Sequence, residues 1–187
     1  TAGVLQEYLQ MADEGIRDAT GSRAGTTLSG VVVVEQMGAP YWLVLNIGDS
    51  RTYRLSQGKL SQVSVDHSEV QELVDAGQIT QTQAAVHPRR HVVTRALGSG
   101  DEIEADYWLL PIEEGDRILV CSDGLNGELD DQHISNILRS HADPQAAVDA
   151  ITRGTLQHRQ LRARHVVTRE ALATGTRRRT RAPSSVH

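Results

Sequence analysis

The chain has 187 residues, 39% of them apolar and 3% aromatic with no Phe, and a net charge of −5; this suits one domain or a large piece of one, with a core built on Val, Leu, Ile and Ala. No run approaches the roughly 18 apolar residues of a membrane span, and the start Thr1-Ala2-Gly3-Val4 has no basic n-region leading into an apolar stretch, so it reads as a cut inside a longer protein rather than a signal peptide. The single cysteine, Cys121, excludes an intramolecular disulfide and a cysteine metal cluster, and a reducing cytoplasm is the simplest compartment for it.

Val4, Tyr8, Ala12 and Ile16 recur at i+4 with Leu5 and Leu9 beside them, which predicts a helix with one apolar face, ended between Gly21 and Gly25. Thr26 to Glu35 is β-branched and apolar, as a buried strand is. After a turn at Met37–Pro40, Tyr41 to Ile47 is a second strand. Arg51 to Leu55 and Leu60 to Val65 follow as short strands, so this stretch reads as a meander of adjacent antiparallel strands. Ser68 with Gln71 and Thr80 with Gln83 fit capping boxes and place short helices near 68–76 and 80–86. Ile103, Ala105, Tyr107 and Leu109 alternate with Glu104 and Asp106 as a half-buried strand does.

Arg117 to Cys121 is a further strand, ended by a sharp turn at Ser122-Asp123-Gly124. Ile134, Ile137 and Leu138 mark a helix over 131–140. Asp143-Pro144 places an N-cap and Pro at N1, opening a helix over 145–152. Strand runs with helices collected on their faces give an α+β class. Charge divides the chain at this point: residues 1–152 carry −13 and residues 153–187 carry +8. The second part, with no sustained period, reads as an Arg-rich irregular tail. Arg177-Arg178-Arg179 could hold nucleic acid or acidic lipid. The tail offers no aromatic residue for base stacking and the body is acidic, so no nucleic-acid partner is expected.

Two turns share one form, a buried strand ending in a small residue, an Asp, then Ser or Gly: Ile47-Gly48-Asp49-Ser50 and Cys121-Ser122-Asp123-Gly124. An Asp at a strand end projects its carboxylate from a rigid base, as a hard divalent cation requires. It can equally accept its own backbone N–H groups and merely hold the turn. His67 either touches substrate or caps the helix after it. His87 and His91 flank Pro88, which argues against a helical His pair on a metal. Arg89 and Arg90 either meet a phosphorylated peptide or are solvated. Arg51 and Arg95 read as structural partners of nearby acids. Cys121, among Ile118, Leu119 and Val120, is a core residue rather than a nucleophile, and Trp42 and Trp108 are core or sheet-face residues.

Five segments in order, Gly25-Thr26-Thr27, Asn46 to Arg51, Asp66-His67-Ser68, Val93 to Gly98, and Gly115-Asp116-Arg117 continuing to Cys121-Ser122-Asp123-Gly124-Leu125, resemble the signatures of the metal-dependent serine/threonine protein phosphatases of the protein phosphatase 2C (PPM) type, in their bacterial form. The resemblance covers about 25–152. It implies an αββα four-layer sandwich of two antiparallel sheets, incomplete at the N-terminus and at the C-terminal strand, with a flap at about 66–100. It also implies hydrolysis of phosphoserine and phosphothreonine on proteins through a water activated by Mn2+ or Mg2+, in a pathway shared with a Hanks-type kinase. Carried over residue by residue, Asp123 is a metal ligand, and Asp49 and the backbone carbonyl of His91 belong to an accessory ion. Arg89 and Arg90 are candidates for substrate contact. The family's upstream segments, an Arg and Glu pair and an Asp-Gly-x-Gly-Gly-His run whose Asp bridges two metals, have no counterpart before Gly25, so the catalytic residues are expected upstream of Thr1. The family's closing Asp-Asn-Val-Thr strand is also unmatched, since no Asp follows Asp149. The alternative is a non-catalytic, truncated or pseudophosphatase domain that binds a partner or phosphoprotein.

Overall fold

In β2 (Ala39–Ile47) alternate side chains serve two different cores, and this period of two sets the layering. The computed structural model describes residues 2–100, 103–158 and 167–170. Leu45 and Ile47 pack with Leu9, Leu97 and Ile103 on one side, while Trp42 packs with Ile118 on the other. β2 is the middle of a three-stranded antiparallel sheet, between β1 (Leu28–Gln36) and β5 (Asp106–Pro111). A second antiparallel sheet has the order β4-β3-β6-β7: β4 (Lys59–Gln62), β3 (Arg51–Ser56), β6 (Arg117–Cys121) and β7 (Val167–Glu170).

Helix α1 (Ala2–Thr20) covers the outer face of the first sheet through Leu9 and Ile16. The outer face of the second sheet, Tyr53, Leu55, Leu119 and Cys121, packs against Leu125 of α4 (Asp123–Asn126), Ile134 and Leu138 of α5 (Asp131–Ser140), and Ala147 and Ile151 of α6 (Pro144–His158). The result is the expected αββα sandwich. Burial pushes the Cys121 thiol up to about 12, as a core residue's should be. No described helix is long and apolar enough to cross a membrane.

Between the β4 and β5 strands lie α2 (Glu69–Asp75) and α3 (Gln81–Ala85). Thr80 and Gln83 form the full reciprocal capping box. Ser68 accepts from the Gln71 N–H, but the Gln71 side chain turns forward to Asp75, 2.8 Å away, so the second box is only half made.

Several expectations need correction. The strands of 26–65 are not one meander: β1 and β2 form a hairpin in the first sheet, β3 and β4 a hairpin in the second, and the chain changes sheets at Gly48–Ser50. β1 is not a buried strand; among the described residues it pairs with β2 alone, and Val33 on it is 56% exposed. In α1 the inward stripe is Leu5, Leu9, Asp13 and Ile16, while Val4 and Tyr8 face outward. Asp13 earns its buried place by accepting from the Gly98 N–H and pairing with Arg17. The turn at Asp123 is the short helix α4.

The expected boundary at Thr152 also fails. Ala147, Ile151 and Thr155 continue one buried stripe, and α6 runs on to His158, with Gly154 lying against Leu129. The β-branched pair Val167-Thr168 then starts β7 against β6, so the ending is not strandless. Four residues are too few for a period to show in sequence. The rest of the Arg-rich tail, Arg177-Arg178-Arg179 included, lies outside the described residues.

One buried carboxylate joins the two sheets. Asp116 Oδ2 accepts from Arg54 Nε of the second sheet at 2.9 Å, from Trp42 Nε1 of the first at 3.3 Å, and from the Glu113 N–H at 3.1 Å. Burial alone would raise this carboxyl, but Arg54 and the other donors outweigh it and hold it below the usual range. Asp116→Ala leaves the Trp42 N–H unpaired and the largely buried Arg54 cation with only the Pro111 carbonyl and the more distant Glu113. It should cost about 3 kcal/mol in urea unfolding, whereas Glu113→Ala, at an exposed side chain, should cost no more than about 0.5 kcal/mol.

Candidate metal centre

The register between β3 and β6 assembles the site. Arg51 lies opposite Cys121. In an antiparallel pair, two residues before Arg51 and two after Cys121 emerge at the same edge, and these are Asp49 and Asp123. The two carboxylates feel each other. Burial first, and then the Asp123 charge, raise the Asp49 carboxyl above its ordinary range, against the local backbone N–H and Arg51, which lower it.

The turn that presents Asp49 admits only glycine before it. Gly48 has φ +97°, and a Cβ there would sit 2.3 Å from Thr27 Cγ2. The buried Asn46 amide donates to the Gly48 carbonyl at 2.9 Å, and Thr27 Oγ1 and Ser50 Oγ are 2.7 Å apart. Arg51, next in the chain, grips Asp66 with Nε on Oδ1 at 2.9 Å and Nη2 on Oδ2 at 2.6 Å. It is structural, as expected, and so is Arg95, which donates to Asp106 Oδ1 at 3.0 Å.

The flap delivers His91 to this edge by its side chain: Nδ1 lies 3.9 Å from Asp123 Oδ2, within Coulombic reach but too far for a hydrogen bond. Sequence reasoning carried forward its backbone carbonyl and argued against a His87–His91 side-chain pair. Arg89 is turned to Glu69 Oε2 at 2.6 Å, and the exposed Arg90 meets the His87 carbonyl at 3.4 Å. Among the described residues, no three His, Cys, Asp or Glu side chains converge on one point. Asp49, Asp123 and His91 therefore form a pair of carboxylates with an imidazole at its margin.

Sequence reasoning offered His67 as a substrate contact or a helix cap and missed the role the structure gives it. It does not cap α2, a task Ser68 performs; it is buried behind Gly48, with Nδ1 3.0 Å from the Gly48 nitrogen and Nε2 3.1 Å from Asp106 Oδ2. Its partners are 19 and 39 residues away, so no local pattern could announce them.

The repulsion at this edge has a sign. A carboxyl raised on folding binds its proton more tightly in the folded state, so its contribution to stability is present below the ordinary carboxylate pKa and is lost as pH rises through the raised one. Asp49→Asn should therefore raise the melting temperature at pH 7 in metal-free buffer. The gain should shrink as pH falls through the carboxylate range, in thermal melts followed by circular dichroism.

A family model described as Protein phosphatase 2C matches residues 3–172, which span both sheets. The serine/threonine phosphatase stp of Listeria welshimeri is 36% identical over 116 residues, 62% of this chain and 44% of that protein. The crystal structure of the PPM Ser-Thr phosphatase MsPP from Mycobacterium smegmatis, in complex with cacodylate, is 37% identical, with a TM-score of 0.79 over 91% of this chain and 73% of that one. The catalytic domain of the phosphatase PstP, in complex with 2 manganese ions, is 28% identical with a TM-score of 0.69, over 83% of this chain and 64% of that one. The chain spans about half the length of the curated relatives it matches. Since the family match takes in every described strand and runs beyond Thr152, this chain belongs to the protein phosphatase 2C family.

Proposed function

We propose that this chain is part of a catalytic domain that hydrolyses phosphoserine and phosphothreonine on proteins, and that Asp49 and Asp123 hold a divalent cation, Mn2+ or Mg2+. The observation that carries the reading is that the β3–β6 register brings both carboxylates to one edge, where burial first and then the Asp123 charge raise Asp49, a cost that a hard cation would relieve. The donor set fits such an ion: two carboxylates at a rigid sheet edge, with the His91 imidazole close to one of them. An ion held there would offset phosphoryl charge beside the two-ion centre that would supply the activated water, whose bridging Asp is expected upstream. This chain's residues do the holding. The glycine turn aims Asp49, the start of α4 aims Asp123, and the flap brings His91 to within 3.9 Å of Asp123.

Arg90, exposed on the same flap, is the better placed of the two arginines to meet a phosphorylated substrate, since Arg89 is engaged by Glu69. The phosphatase names of the matched relatives favour an enzyme over a non-catalytic phosphoprotein-binding domain. A cytoplasmic pathway shared with a Hanks-type kinase is the setting this reading implies.

Two carboxylates serve one cation; two ions sharing a water about 3.5–4 Å apart need more ligands than this edge provides. The 187-residue polypeptide by itself should hydrolyse p-nitrophenyl phosphate no faster than the buffer blank, even in millimolar Mn2+. A longer polypeptide that adds an upstream Asp-Gly-x-Gly-Gly-His segment and a closing Asp-Asn strand should show Mn2+-dependent turnover, reduced about 100-fold or more by Asp123→Ala. Robust Mn2+-dependent activity in the 187-residue chain that Asp123→Ala leaves untouched would refute the placement of the centre.

A further inference from the structure

We infer that His67 is the positioning residue of Asp49: it holds the two peptide groups that flank Gly48, the residue before that carboxylate, and fastens them to the flap. The inference rests on the reading of Asp49 as a metal ligand. His67 holds Gly48 twice, its own backbone N–H donating to the Gly48 carbonyl and its Nδ1 accepting from the Gly48 N–H, both at 3.0 Å. Because Nδ1 accepts, the ring proton sits on Nε2 and points at Asp106 Oδ2, 3.1 Å away. Arg95 Nη1, 3.3 Å from His67 Nε2, donates to Asp106 Oδ1 and to the Glu104 carbonyl, both at 3.0 Å, and so holds the carboxylate that faces the ring. The His67 carbonyl accepts from the Thr94 N–H at 2.9 Å, and Ser68 bridges to Val93, two residues from His91. One residue thus sets the turn that carries Asp49 and the return arm of the flap that carries His91. A core histidine that only filled space would need neither ring nitrogen aligned on the turn.

The test compares His67→Asn with His67→Gln in the 187-residue chain. The Asn amide oxygen occupies the place of Nδ1 and still accepts from Gly48. The Gln amide reaches toward the place of Nε2, keeps Asp106, and leaves the Gly48 N–H unpaired. Amide hydrogen exchange at Gly48 and Asp49 reads the turn without metal, Mn2+ binding is followed by the electron paramagnetic resonance of the free ion, and thermal melting reports global stability. His67→Asn should keep Gly48 protected and hold Mn2+ affinity within about twofold of the parent chain, whereas His67→Gln should lose that protection and weaken Mn2+ about 10-fold, with the two variants melting alike. Equal Gly48 exchange in the two variants overturns the inference, as does equal Mn2+ affinity in the two when the parent's binding depends on Asp49. Mn2+ binding indifferent to Asp49→Asn sinks the metal reading instead, and the exchange comparison alone then decides whether His67 holds the turn.

Discussion

The structure turns on one peptide unit. β2 ends in the first sheet and β3 begins in the second, so within Gly48, Asp49 and Ser50 the backbone must leave one layer and enter the other. Only a residue with a left-handed φ and no Cβ clears Thr27 there, which fixes glycine at position 48. Gly48 is buried away from water, so its polar groups take protein partners instead: the Asn46 amide and the His67 backbone donate to its carbonyl, and the His67 ring accepts from its N–H. The backbone from which Asp49 emerges is thereby fixed. Its neighbour across the register, Asp123, is fixed by the same sheet through the pairing of β3 with β6.

The sandwich can tolerate this sharp crossing because its layers are pinned elsewhere. Asp116 ties Trp42 to Arg54 between the sheets, at the far end of β3 from Asp49. Ser29 and Thr52 hydroxyls meet between the layers at 2.9 Å. On the outer side of the second sheet, Arg117 Nη1 donates to the Leu138 and His141 carbonyls and holds the end of α5 against β6. Apolar packing supplies the bulk of the cohesion, while these few polar ties fix the angle and register at which the two sheets meet.

How much of this was legible beforehand depended on the range of each interaction. β6 and α5 were readable to the residue because each is written in its own period, and the capping residues Ser68 and Thr80 announced the flap helices. The inward face of α1 was misjudged because Asp13 occupies a buried position that an apolar count assigns to the outside, and only the distant Gly98 N–H explains it. The meander reading failed because alternation identifies strands but says nothing of which sheet receives them. The turns that carry the two aspartates were legible in the sequence, and Arg95 was legible as a partner of a nearby acid, whereas the role of His67 rests on contacts 19 and 39 residues away and left no local trace.

The treatment of acids across the molecule separates scaffold from site. Asp116 is matched by Arg54, Asp66 by Arg51 and Asp106 by Arg95, each within 3.0 Å. Asp116 and Asp106 share a pattern in which burial would raise the carboxyl but hydrogen-bonded cations and donors outweigh it and lower it. Asp49 runs the other way: burial and a second carboxylate raise it, and the nearby Arg51 has given its hydrogen bonds to Asp66. A fold that supplies an arginine to its structural aspartates, and leaves Asp49 and Asp123 at one edge without one, keeps an electrostatic cost that packing does not require. Such a cost persists where something outside the chain removes it, and a divalent cation between two carboxylates removes it most directly.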